Sequence, residues 1–393
     1  ERKAKTRVLC SCMYSFLANA RIPLPIRARV VESVLYPVAL HGCEVWGTRA
    51  KTVGMVSSEV NRSLRVIVEG RVGDSLCNHV LYLEADLLPF TVCVLKRRLS
   101  LSMSETCGYA LKRLLDEGKA TSFGGDLIEK IGISGYRLMS ECDLVNESAL
   151  NLRRKSLYFW QYSGSNTVMQ LVHYQWRKEI RSSRADSLEH LLRMKGPWRR
   201  VYLDVWNTRY DLWRGCRALL KIRCNGFYCG ERLYSGRRTV GCVCPCCGCE
   251  GKESVSHYLQ RCEFFASLRR VMVESIEELS VQYGVSLSVW SVVSLIVGVD
   301  LGLWSATDDL ETVVVFDSHC FPRRNKSAIE SVGGALREAS DLEYEYFSKC
   351  AELVCEFLST TYDSRLSKIR EWKRELDRER VSARRPRNSR LDA

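Results

Sequence analysis

The stretch that decides the reading is residues 242–262, CVCPCCGCEGKESVSHYLQRC, which holds six of the chain's nineteen cysteines and one of its six histidines. Cys244, Cys247, His257 and Cys262 form C-P-x-C-G, then nine residues from Gly248, then H-x4-C. Two thiolates on a tight knuckle, with a His and a Cys about one helical turn apart, can converge tetrahedrally on Zn2+. Pro245 stiffens the knuckle, and Gly248 permits the left-handed turn that lets backbone amides face the sulfurs. Residues 253–261 contain neither Gly nor Pro, so a helix presenting His257 and Cys262 is expected there. Cys246 and Cys249 offer a second C-x2-C pair, seven residues before His257, but the Pro and the Gly sit correctly only around Cys244 and Cys247. Five cysteines within residues 242–249, followed by His and Cys at ligand spacing, argue against a metal-free loop. A disulfide framework is disfavoured by the odd cysteine total, the chain length and a start without a signal-peptide pattern, all of which fit a reducing compartment.

Outward from this cluster, 393 residues with 46% hydrophobic content suffice for two or three domains with buried cores. The longest uncharged run, 281–299, carries Gln282, four serines and two glycines, so no membrane partner is expected. The net charge of +13 is unevenly placed. Residues 193–238 hold twelve Lys and Arg against three Asp and Glu, and residues 365–390 hold eleven against four, which leaves the remainder close to neutral. Basic charge gathered in two segments is the footprint of a polyanion binder. The chain starts at Glu1 inside a basic, helix-like run, so a fragment of a longer polypeptide is expected.

In chain order, Pro25 sits where a helix would start, and Ile26, Val30, Val34, Leu35 and Val38 recur at helical spacing through Leu40. Gly42 and Gly47 bracket a turn, and a second amphipathic helix follows with Val53, Val56, Val60, Leu64 and Ile67 on one side and Arg62 and Arg65 on the other. The run LYPVALHGCEVWG, residues 35–47, followed by NRSLRVI, residues 61–67, resembles the segment just past the palm of non-LTR (LINE-type) retrotransposon reverse transcriptases. Gly42, Glu44 and Trp46 match the family's Y-G-x-E-x-W run, and His41 stands where the family usually has Tyr. The resemblance implies a helical thumb that holds a template–primer duplex. Arg62 and Arg65 are then better candidates for phosphate contact than the aromatics, and packing is the expected role of Trp46.

Leu81, Leu87, Leu88, Val92, Leu95 and Leu99 continue the helical material, and glycines at 118, 124 and 125 mark a boundary. An aromatic cluster between 148 and 184 follows, for which core packing is as good an account as ligand binding. From Gly196 and Pro197, the residues Trp198, Tyr202, Trp206, Tyr210 and Trp213 recur at spacings of four, four, four and three, placing five aromatics on one helical stripe. Arg199, Arg200, Arg209, Arg214, Arg217, Lys221 and Arg223 surround it, with Arg237 and Arg238 just before the cysteines. The stripe reads as core with a solvated basic face, or as rings that stack on unpaired bases while the arginines hold the backbone. A basic helix, a short loop and then the cysteine motif again resemble the C-terminal part of LINE-type proteins. Residues 264–279 and 341–372 are expected helices, the second containing CEFLSTTYDSR, loosely similar to the family's closing helix. Residues 313–316 are a strand candidate, and 373–393 read as a frayed helix and a disordered end.

The Y/F-x-D-D turn with which polymerases of this kind hold Mg2+ is absent, and the only adjacent aspartates, Asp308 and Asp309, follow no hydrophobic strand. A restriction-like endonuclease, which some LINE-type elements carry after the knuckle, would use Asp300 and Asp317, but Val299 replaces the expected Pro and no Lys follows Asp317 at catalytic spacing. The expectation is a mainly α chain in four parts: a thumb-like helical region (1–120), a linker region (121–192), a basic aromatic helix with a CCHC zinc knuckle (193–270), and a helical C-terminal region with at most a few short strands and a basic tail (271–393). The resemblance implies RNA or DNA and the upstream palm and fingers of the same polypeptide as partners. It also implies an intracellular location, in cytoplasm and nucleus. The rival readings are a host-derived zinc-binding interaction protein and a degenerate endonuclease region.

Overall fold

The computed structural model describes residues 1–68, 77–100, 123–142, 165–181, 201–224, 226–227, 244–249, 254–299 and 334–384, with 144, 155 and 301. The fold is mainly α, and among the described residues there is no strand. The strand candidate at 313–316, Asp308 and Asp309, and both endonuclease candidates, Asp300 and Asp317, lie outside the described residues. The chain divides into two compact units, Glu1–Leu188 and Glu189–Ala393. The parts 1–120 and 121–192 fall almost wholly in the first and the parts 193–270 and 271–393 in the second.

The first unit contains α1 (Arg2–Cys12), α2 (Tyr14–Ala18), α3 (Leu24–Val30), α4 (Tyr36–Leu40), α5 (Cys43–Trp46), α6 (Ala50–Ile67), α7 (Asn78–Glu84), α8 (Phe90–Leu99), α9 (Phe123–Glu141) and α10 (Ser165–Arg181). Helix α6 is its spine, with α1, α2, α7 and α8 packed on it. Val56, Val60, Leu64 and Ile67 face the core as their spacing requires. The helix expected from Pro25 to Leu40 is interrupted by a π turn at Val31–Leu35, where the Tyr36 N–H donates to Val31 O. Pro37 has no N–H, and its ring would crowd the carbonyl of residue 33, so the chain widens there by one residue. The buried face is Leu24, Ala28, Val31, Leu35 and Ala39, while Ile26 and Val34 of the expected stripe are 51% and 41% exposed.

Arg27 is buried on α3 because two helices end beside it. Its Nη1 donates to Leu17 O (2.9 Å) at the end of α2 and to Ile67 O (3.1 Å) at the end of α6. The last carbonyls of a helix lack intrahelical donors, and a cation suits the negative end of the helix dipole. Trp46 has a packing role here, stacked on Phe90 at 6.5 Å with Nε1 donating to His41 O.

The second unit contains α11 (Val201–Thr208), α12 (Trp213–Arg223), α13 (Ala266–Tyr283), α14 (Val289–Val297) and the 51-residue α15 (Gly334–Arg384). Helices α11, α12, α13 and α14 all pack on α15, which is longer than the expected 341–372 and continues as helix through the first part of the basic tail. Because neighbours surround it, α15 buries a broad belt, including Phe347, Cys350, Ala351, Val354, Leu358, Thr361 and Ile369. Gly215 of α12 makes the closest approach: a Cβ there would lie 2.6 Å from the carbonyl carbon of Cys355. The uncharged run 281–299 is two elements, since Gly284 at φ +66° ends α13 and Ser288 caps α14 by accepting from Ser291 N. No helix among the described residues is long and apolar enough to cross a membrane.

Candidate metal centre and its basic surroundings

The four expected ligands meet in the second unit. One ligand atom from each of Cys244, Cys247, His257 and Cys262 lies within 4.8 Å of every other. Cys244 Sγ is 3.9 Å from Cys262 Sγ, and Cys247 Sγ is 3.4 Å from His257 Nε2. Sulfurs at that separation are unbonded, since a disulfide needs about 2.05 Å. The cluster could hold a metal ion.

Local structure explains the convergence. At the knuckle, Gly248 sits at φ +71°, its N–H donates to Cys244 O (2.9 Å), and the Cys244 N–H returns to Cys249 O (3.1 Å). That closed turn brings Cys244 and Cys247 to one side and leaves Cys249 exposed and Cys246 half-buried. On the other side, Ser254 Oγ accepts from His257 N, capping the helical start. Residues His257–Arg261 then form a π turn, closed by the Cys262 N–H on His257 O (2.7 Å). In an α-helix, residues five apart stand about 140° apart around the axis. The wider π turn swings the second back toward the first, so H-x4-C can point both ligands at one place. The expected helix over residues 253–261 is thus helical at its end but of a different pitch.

Hydrogen bonds from Cys246 and Cys262 hold the Cys244 thiol below its ordinary value, and the hydrogen bond to Cys244 pushes Cys262 up and Cys246 to about 12. Binding of a metal ion would release the protons that the ligating thiols carry.

The sequence-predicted nucleic-acid residues are scattered. Arg62 is exposed and 3.6 Å from Glu59, and Arg65 Nε donates to Asn78 Oδ1. The aromatic stripe is not one helix: α11 ends at Thr208, Arg209 leaves helical geometry at φ −107°, ψ 76°, and a 3-10 turn over Tyr210–Leu212 precedes α12. Tyr202 and Trp206 are buried core, Tyr210 is exposed and Trp213 is half-buried.

Several arginines are turned toward neighbouring helices. Arg209 bonds Asp211 and, across on α15, Glu352 and Glu356, and its pKa is raised first by the Asp211 hydrogen bond. Arg214 pairs with Asp363 at 3.4 Å, and Lys221 donates to Tyr362 Oη. Arg217 is half-buried and its pKa is lowered by that burial. Arg223 is fully buried, with Nη1 on Ile296 O (2.7 Å) and its guanidinium over the Tyr202 ring, so it presents no charge to a phosphate. Trp198, Arg199, Arg200, Arg237 and Arg238 lie outside the described residues.

Two exposed residues that sequence reading passed over stand next to Cys262 in the chain. Arg261 is exposed, and the Phe264 ring is 47% exposed, edge-on to Phe265. Their signal was position: Arg261 precedes Cys262 and Phe264 follows it by two residues.

The chain matches no family model, and searches of curated proteins and of solved structures found no match either.

Proposed function

We propose that the cluster is a structural zinc site and that the chain is the nucleic-acid-binding C-terminal part of a LINE-type reverse transcriptase polypeptide. The observation that carries the reading is the convergence of Cys244, Cys247, His257 and Cys262. Tetrahedral zinc, with Zn–S of about 2.3 Å and Zn–N of about 2.0–2.1 Å, sets sulfurs about 3.8 Å apart and sulfur to nitrogen about 3.5 Å. The separations in this chain, 3.9 Å and 3.4 Å, fit that figure. Four protein ligands leave no open position for substrate or water, which marks a structural role over a catalytic one.

Nucleic-acid binding is supported by the charge distribution and by the exposed Arg261 and Phe264, which lie one residue before and two residues after Cys262 in the chain. An exposed ring and an exposed cation suit an unpaired strand, with a base stacked on Phe264 and phosphate held by arginine. The order of motifs around residues 35–67 and 227–262 supports the parentage, which brings with it the upstream palm and fingers as partners within one polypeptide. The test is binding of the zinc-loaded chain to single-stranded RNA and DNA across a salt series. Affinity should fall with salt by roughly 0.7 log units per log unit for each phosphate contact. Binding that ignores salt, or that Phe264→Ala and Arg261→Gln leave untouched, would count against it.

A second reading, a zinc-stabilised protein-interaction module, is favoured by the exposed Phe264 just before α13 and the exposed Leu268 and Val271 in its first turns. It predicts no salt-sensitive nucleic-acid binding at all.

A further inference from the structure

The cluster is buried on one side, with Cys244 and Cys262 each 1% exposed, while Cys247 and His257 are half-buried. Three thiolates and one neutral imidazole around a divalent ion leave one net negative charge, which is costly away from water unless a cation stands against it. Two buried arginines stand close by. Arg365, on α15, is 0% exposed, and its guanidinium lies 4.6 Å from the Phe227 ring centroid and 5.1 Å from that of Tyr258. Tyr258 is the residue after the ligand His257, on the same π turn, and its hydroxyl shares a 2.5 Å hydrogen bond with Thr361 of α15. Arg269, on α13, donates from Nη2 to the carbonyl of the ligand Cys262. Its Nη1 is buried and has no hydrogen-bond partner among the described residues, a spare donor on a guanidinium already held at the backbone of Cys262.

We infer that Arg269 and Arg365 form the outer wall of the metal centre, balancing its negative charge, and that Tyr258 makes the docking of α15 and the holding of the ion a single event. The inference rests on the zinc reading given above. Its physical basis is that the π turn presents two successive side chains in different directions. His257 goes to the ion, and Tyr258 goes into the aromatic layer of Phe227, Phe265 and Phe357 under α15. Loss of the ion frees the turn, and a freed turn withdraws Tyr258 from Thr361 and from the Arg365 guanidinium. By linkage, whatever factor the bound ion adds to the docking of α15, docked α15 adds to the affinity for the ion.

The experiment uses the full chain loaded with zinc and measures release to a chromophoric chelator. Arg365→Gln should hold zinc about 10-fold less tightly, the low end of the loss for an outer-shell partner, because Arg365 meets the ligand turn through the Tyr258 ring. Arg365→Lys, which keeps the charge, should recover most of the loss. With Co2+ in place of zinc, the tetrahedral d–d bands should persist in both variants, showing the four ligands intact and the effect to lie outside them. Thr361→Val, which removes the bond to Tyr258 at nearly constant shape, gives the same readout if Arg365→Gln does not fold. In the wild-type chain, removing the ion should raise hydrogen exchange over residues 355–369 and leave 56–67 in the first unit unchanged. Wild-type zinc retention in folded Arg365→Gln, or unchanged protection of 355–369 after metal removal, overturns the inference. A wild-type chain that takes up no zinc refutes the zinc reading itself.

Discussion

Gly215→Ala is a one-methyl test of how α12 sits on α15. A Cβ at 215 would run into the Cys355 carbonyl oxygen and lie 2.6 Å from the carbonyl carbon and 2.9 Å from its Cα. Non-bonded carbons rest at about 3.5–4.0 Å, so the helices must part by more than about 1 Å. All three obstructing atoms are backbone, and no rotamer change can relieve them. The displacement would also open the packing of Cys216 on Cys355, whose sulfurs are 3.7 Å apart with both residues fully buried. Overpacking of this kind costs about 1–3 kcal/mol, and the absence of a flexible neighbour places it in the upper half of that range. At about 2–4 °C per kcal/mol for a unit of this size, calorimetry should show the second unit melting roughly 4–12 °C lower. Gly54→Ala is the control: it is an exposed position on α6 with nothing within 4 Å of a new Cβ and should stabilise the first unit by about 0.5–1 kcal/mol. A Gly215→Ala melting temperature within 1 °C of wild type would refute the close approach of α12 to α15.

The aromatics separate core from surface. Trp206→Ala should cost about 3–5 kcal/mol of stability, because the ring is fully buried. Phe264→Ala should leave melting unchanged and weaken single-strand binding by about 1–3 kcal/mol, and a Phe264→Ala chain that melts early without losing affinity would exclude stacking. His79 contributes a pH dependence in the first unit. Burial lowers its pKa below the ordinary 6.5, against a smaller opposing effect of Glu179. The unfolded chain therefore takes the proton first, so this contribution is complete above pH 6.5 and is lost as the pH falls below it through the lowered folded value. Denaturant titrations between pH 7.5 and 5 should show that slope in wild type and a shallower one in His79→Phe. Equal slopes would exclude the assignment.

The knuckle was legible because its residues have few other uses. Pro245 and Gly248 fixed which C-x2-C pair could turn, and Gly248 indeed takes positive φ. The π turn was not legible, because nothing in HYLQR distinguishes it from an α turn, and the ligand geometry alone demands the extra width. The α6 face followed its periodicity, whereas along α3 and α4 the core took Leu24, Ala28, Val31, Leu35 and Ala39, and the stripe of Ile26, Val30 and Val34 marked the neighbouring, more exposed face. The arginines were the hardest to place. Arg27, Arg223 and Arg365 are all fully buried, each on helix-end carbonyls or aromatic faces that come from distant parts of the chain. Composition counts such residues as surface charge, and only tertiary structure turns them inward.

The most direct test of the central claim is metal content by elemental analysis of the purified full chain, its Cys247→Ser variant and its Cys249→Ser variant. The account predicts one zinc per chain in wild type and in Cys249→Ser, and loss of zinc in Cys247→Ser. A wild type without zinc, or zinc kept by Cys247→Ser and lost by Cys249→Ser, would contradict it.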